Sequence, residues 1–142
     1  MQRVYLIGLV LLMAIGCAEQ PKTSSGKLGI VCTTGMVGDL VRIVAGDVAE
    51  VRTLMGPCVD PHYYKASKGD AEWLGSADII FYNGLHLEGK MQEIFKRMST
   101  TRKVVAVSRD IPVERLRQPP EFEGQYDPHI WFDVSLWKEA VG

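Results

Sequence analysis

Four short apolar runs, at residues 28–33 (LGIVCT), 48–54 (VAEVRTL), 77–82 (ADIIFY) and 103–107 (KVVAV), alternate with stretches of helical pattern. This alternation constrains the fold more than any other feature. A strand that pairs in parallel with its neighbour needs a crossover, and a helix between the two strands supplies it. The series predicts an α/β chain: a four-stranded parallel sheet with helices on both faces. The run at 77–82 is nearly all apolar, which suits a strand covered on both sides. After the first run, Met36, Leu40, Ile43 and Val44 recur at three- and four-residue spacing. They predict one buried helical stripe, closed at Gly46. Ser67 and Asp70 form a Ser-x-x-acid start signal for a helix through Ala71, Trp73 and Leu74. Leu87, Met91, Ile94, Phe95 and Met98 line one side of a third helix, expected over 87–98.

Ligands of parallel sheets bind beyond the carboxyl ends of the strands. Two copies of one tripeptide fall there: Asp60-Pro61-His62 after the second run and Asp127-Pro128-His129 after the fourth. Two of the three histidines therefore follow an Asp-Pro pair. Neutral imidazole is the commonest side-chain ligand for borderline transition metals. Proline fixes its own φ and restricts the residue before it, so each histidine sits on stiff backbone. The aspartate is near enough to orient the ring or to cap a helix. Sixty-seven residues separate the two histidines (129 minus 62), so only the sheet can bring them together. One reading is two halves of a metal site; the other is two turns that share a tripeptide.

His86 also follows a strand end but lacks the Asp-Pro frame, and it reads as a helix-start residue. Glu88 suits the first turn of the helix after it, where an acid meets the positive end of the dipole. Cys32 and Cys58 both lie near strand carboxyl ends. They are expected to form a disulfide; thiolate ligation of zinc and two small buried residues are the alternatives. The turn at 33–38 (TTGMVG) resembles an anion-binding loop but lacks the Lys-Ser/Thr of a phosphate loop and the third glycine of a dinucleotide fingerprint. Tight packing of strand against helix explains it better. No Gly-x-Ser-x-Gly elbow and no His-Glu-x-x-His helix is present.

The amino terminus carries Arg3, then a 13-residue uncharged, mostly apolar stretch at 4–16, ending in Ala14-Ile15-Gly16-Cys17. That stretch is short of the roughly 20 residues that span a bilayer and has the length of a signal-peptide core. Small residues before a cysteine resemble a bacterial lipobox, which implies cleavage before Cys17 and its lipidation. Residues 1–17 are thus expected to be a lipoprotein signal peptide and 18–27 a flexible tether. The net charge of −1 and the lack of a basic stripe with aromatics argue against a nucleic-acid partner.

Several segments together carry a family resemblance: 33–39 (TTGMVGD), 54–57 (LMGP), 59–66 (VDPHYYKA), 82–88 (YNGLHLE) and 127–133 (DPHIWFD). They are similar to the zinc/manganese solute-binding lipoproteins of bacterial ABC importers. The resemblance implies two α/β lobes joined by one long helix, with the metal between them and two ligands from each lobe. His62 and His129 match the amino-lobe ligands; His86 matches a non-ligand position. Residues 28–132 would be the amino-terminal lobe and 133–142 the start of the joining helix. The carboxyl lobe and its ligands would then lie outside this sequence, as in a fragment or a truncated product. The expected function is an extracytoplasmic, lipid-anchored monomer of the bacterial cell envelope. It would capture Zn2+ or Mn2+ and deliver the ion to a membrane permease, without enzymatic activity. A zinc hydrolase using Asp127 or Asp133 as base, a metal-dependent surface adhesin and a non-functional remnant are the rivals.

Overall fold

A computed structural model describes residues 26–141. The leader and nearly all of the tether expected from the sequence lie outside the described residues. Strands β1 (Leu28–Cys32), β2 (Ala49–Thr53), β3 (Ile79–Tyr82) and β4 (Lys103–Ala106) form one parallel sheet in the order β2-β1-β3-β4. Helix α1 (Gly35–Ala45) follows β1, α2 (Lys68–Ser76) follows β2, and α3 (Gln92–Met98) follows β3. A short α4 (Val134–Glu139) follows the long connection after β4.

Side chains of a strand alternate between faces, and the core obeys that rule. Ile30 and Cys32 of β1 pack with Val37 and Val41 of α1, Ile111, Ile130, and Leu136 of α4. Val31 of β1 and Ile80 of β3 pack on the other face with Leu74 of α2, and with Met91 and Phe95 at α3. Helices therefore cover both faces. Each fully buried Leu, Ile or Phe contributes roughly 1.5–3 kcal/mol.

The stripe expected on α1 is corrected. Ile43 and Val44 are 82% and 62% exposed, while Val37, Gly38 and Val41 are buried. Two apolar stripes overlap on this helix, and Gly38 decides between them. A Cβ at Gly38 would stand 2.4 Å from Thr53 Oγ1, so the missing side chain brings that face against β2. This is the strand–helix packing expected for the 33–38 turn. Thr34 caps the helix by accepting from the Val37 N–H.

The start of α2 is the expected capping box: Ser67 accepts from the Asp70 N–H, and the Asp70 carboxylate accepts from the Ser67 N–H at 2.7 Å. The third helix begins later than the periodicity suggests. Gly84, Leu85 and His86 have φ of +88°, +51° and +63°, and a left-handed backbone cannot start a right-handed helix. A single 3-10 turn, Gly89–Met91, intervenes before α3. The start expected for the joining helix at 133 is close to that of α4, which runs from Val134 to Glu139. Ile130–Phe132 is a 3-10 turn, and Asp133 caps α4 by accepting from the N–H groups of Ser135 and Leu136.

Candidate metal centre

Strand order places β1 and β3 at the centre of the sheet, where the connections change direction. This is the crevice in which parallel sheets bind ligands. The two Asp-Pro-His loops follow the edge strands β2 and β4. At about 4.8 Å per strand, those edges are some 14 Å apart, yet both loops reach inward over the central pair. The Nε2 atoms of His62 and His129 meet at 3.4 Å, with ring centroids 5.4 Å apart.

Each loop is built by the same local device. Asp60 Oδ1 accepts from the His62 N–H at 2.9 Å, and Asp127 Oδ1 accepts from the His129 N–H at 3.0 Å. The aspartate closes a turn two residues long, and proline holds the residue between. The second loop goes further. Asp127 Oδ1 also lies 2.7 Å from His129 Nδ1. With the Nδ1 proton directed at that carboxylate, Nε2 carries the lone pair and faces His62. Desolvation alone would raise Asp127, but hydrogen bonds from the His129 N–H and ring, with the Arg117 charge, hold it below the usual aspartate range. Trp131 stands edge-on to the His129 ring at 5.2 Å, and Phe132 stacks beside it at 6.3 Å.

Two ligands of a tetrahedral zinc with bonds of 2.0–2.1 Å are separated by about 3.3–3.4 Å. The observed Nε2 spacing matches that figure. Among the described residues, no group of three or more His, Cys, Asp or Glu side chains could hold a metal ion. Among the described residues, the geometry thus brings together two candidate donors, His62 and His129.

The remaining candidates from the sequence lie elsewhere. His86 is exposed and lines a separate surface pocket with Tyr82, Gln92 and Tyr126. Its φ of +63° makes it part of a left-handed turn rather than the helix start expected for it. Cys32 and Cys58 are free thiols, so the expected disulfide is not formed. Cys32 ends β1 fully buried, while Cys58 is exposed on the loop after β2. Burial pushes the Cys32 thiol up to about 12, the Arg42 charge opposing weakly.

Glu88 departs most from its expected role. Its carboxylate is fully buried and turns back on the chain rather than serving a helix. Oε1 accepts from Thr33 Oγ1 and from the Asn83 N–H, each at 2.7 Å, and Oε2 accepts from the Gly84 N–H at 3.3 Å. Asn83 then donates from Nδ2 to the Pro128 carbonyl at 2.9 Å. Neither Asn83 nor Thr33 stands out in the sequence as a site residue. The signal available was an acid five residues beyond an Asn-Gly turn that ends an apolar strand.

A family described as zinc-uptake complex component A, periplasmic (ZnuA), matches residues 30–142. The chain belongs to the ZnuA family. Members are metal-binding transport components, and the resemblance read from the sequence holds. The chain is 45% identical over 138 residues to the zinc-binding protein TroA of Treponema pallidum, covering 97% of this chain and 44% of TroA. It is 40% identical over 131 residues to the manganese-binding lipoprotein MntA of Bacillus subtilis, covering 92% of this chain and 42% of MntA. The solved structure of the periplasmic zinc-binding protein TroA superposes with a TM-score of 0.77 at 51% identity, over 82% of this chain and 41% of that one. The ZnuA-family chain thus spans less than half the length of these relatives, and its sheet corresponds to their amino-terminal lobe.

Proposed function

We propose that this chain is the amino-terminal half-site of an extracytoplasmic carrier that captures a divalent transition metal for an ABC importer. His62 and His129 would supply two imidazole nitrogens to the ion. The observation that carries this reading is their 3.4 Å Nε2 spacing, the distance expected across one tetrahedral ion. The chain's similarity to proteins named as zinc- and manganese-binding supports Zn2+ or Mn2+ as cargo. A membrane permease would be the recipient, and lipidated Cys17 would hold the protein at the extracytoplasmic face of the membrane as a monomer.

A carrier fits better than a hydrolase. Metal-assisted hydrolysis needs a base beside the open coordination position. Asp127 is engaged by the N–H and ring of His129, and Asp133 caps α4. Two imidazoles leave coordination positions to water, so this chain alone should bind metal weakly. Titration calorimetry with Zn2+ and Mn2+ tests the assignment. His62→Ala and His129→Ala should each remove the binding that the unaltered chain shows, and His86→Ala should leave it intact. Binding that survives both of the first two substitutions would refute it.

A further inference from the structure

We infer that Asn83, anchored by the buried carboxylate of Glu88, is a positioning residue that fixes His129 for metal binding. This rests on the metal reading proposed above and adds two residues to it, neither of which touches the ion.

The peptide group that enters His129 is held on both sides. Its carbonyl, from Pro128, accepts from Asn83 Nδ2 at 2.9 Å, and its N–H donates to Asp127 Oδ1 at 3.0 Å. Asp127 also holds the ring. With the peptide plane and the ring both fixed, little freedom is left in where Nε2 points. Asn83 can act as a fixed point because its own backbone is tied down. Its N–H donates to Glu88, and its carbonyl accepts from the Ser108 N–H at 3.2 Å. Glu88 in turn binds Thr33 at the end of β1. One buried carboxylate thus clamps the carboxyl ends of the two central strands and transmits their position to the loop beyond β4.

The chemistry of Asn83 argues that its amide serves this purpose. The residue is fully buried, and its Oδ1 has no hydrogen-bond partner. An unpaired buried oxygen is costly, so a site needing only bulk is better filled by an apolar side chain. What the amide supplies is its two donors, spent on the carbonyls of Gly84 and Pro128. His62 has the matching aspartate turn, but among the described residues no side chain donates to the Pro61 carbonyl.

The substitution Asn83→Asp keeps the shape and removes both donors at neutral pH. Two readouts separate positioning from mere stability: the nitrogen-15 ring resonances of the histidines in the metal-free chain, and Zn2+ affinity by competition with a chromophoric chelator. The expected result is a shifted or broadened His129 ring signal with His86 unchanged, and affinity lower by about 10- to 100-fold. A folded variant with the native His129 signal and unchanged affinity would overturn the inference, even if its melting temperature fell. Should Asn83→Asp fail to fold, Glu88→Gln alters only the anchor. A perturbed His129 signal there supports the inference, and a native one overturns it. If the unaltered chain binds no Zn2+, the metal reading fails, while the ring signals still decide whether Asn83 positions His129.

Discussion

Asp127 Oδ1 takes two hydrogen bonds from one residue, the backbone N–H of His129 at 3.0 Å and its ring Nδ1 at 2.7 Å. The same oxygen therefore shapes the turn and chooses the tautomer. Asp60 performs only the first task for His62 among the contacts formed. Two identical tripeptides thus yield one histidine whose ring is locked by its own loop and one whose ring is not.

This asymmetry predicts unequal effects of removing the two carboxylates. Asp127→Ala frees the His129 ring and its peptide together, and Zn2+ affinity should fall roughly 10- to 100-fold, the range for partners that orient a ligand. Asp60→Ala loosens only a backbone turn, and its effect should be smaller. Chelator competition on both variants checks the order. Equal losses, or a larger loss for Asp60→Ala, would mean that the ring contact is incidental.

Glu88 predicts an unusual pH dependence of stability. Desolvation raises its pKa above the ordinary 4.5, outweighing the hydrogen bonds from Thr33, Asn83 and Gly84 that pull it down. A carboxyl with a raised folded-state pKa favours the protonated form in the fold. Its stabilising contribution is full below 4.5 and is lost as pH rises through the folded value. Asp70 and Asp127 are lowered and run the other way, but they are common to both proteins in a comparison with Glu88→Gln. The stability of the unaltered chain minus that of Glu88→Gln should therefore decrease from about pH 4 to pH 7. Urea unfolding of both proteins at the two pH values measures it. A difference that grows with pH would contradict the burial argument.

Much of this was legible in the sequence because the signals were local or repeated. Apolar runs marked the four strands, the Ser67–Asp70 box marked the start of α2, and the doubled Asp-Pro-His marked the two histidines whose rings meet. Signals failed where two local patterns competed. On α1, Met36-Leu40-Ile43-Val44 forms as regular a stripe as Val37-Val41, and only the contact of Gly38 with Thr53 on another element selects the second. At Gly84–His86 the apolar periodicity of 87–98 gave no hint of three successive left-handed residues. Gly84 itself is required there, since a Cβ would stand 2.3 Å from Ser108 Oγ. Glu88 resembles a helix acid in the sequence because its partners Thr33 and Asn83 lie on β1 and β3 connections, 55 and 5 residues away. Buried polar networks of this kind join distant segments and leave no period in the sequence.

The contact that selects the buried face of α1 can be tested directly. Gly38→Ala would place a Cβ 2.4 Å from Thr53 Oγ1. That hydroxyl sits on a β-branched residue of a strand and also accepts from Arg42 Nη2 at 2.8 Å, so it cannot simply swing aside. Overpacking of this size costs about 1–3 kcal/mol. Although alanine has the better helix propensity, the variant should be less stable in urea unfolding. Adding Thr53→Ala should recover part of the loss. Strict additivity of the two substitutions would show that they do not touch.

Cys32 and Cys58 provide the last prediction. Cys32 is wholly buried, with its thiol pushed up to about 12, whereas Cys58 is exposed. Thiolate is the reactive form, and access is required as well. Iodoacetamide at pH 8 should therefore modify Cys58 in the folded chain and leave Cys32 untouched until denaturant is added. Peptide mapping by mass spectrometry after a short exposure distinguishes the two. Recovery of a peptide pair joined through Cys32 and Cys58 from protein never exposed to reductant would show instead that the loop after β2 folds back onto the end of β1. That rearrangement would move Cys58, and with it the start of the loop that carries His62, away from the geometry in which its ring faces His129.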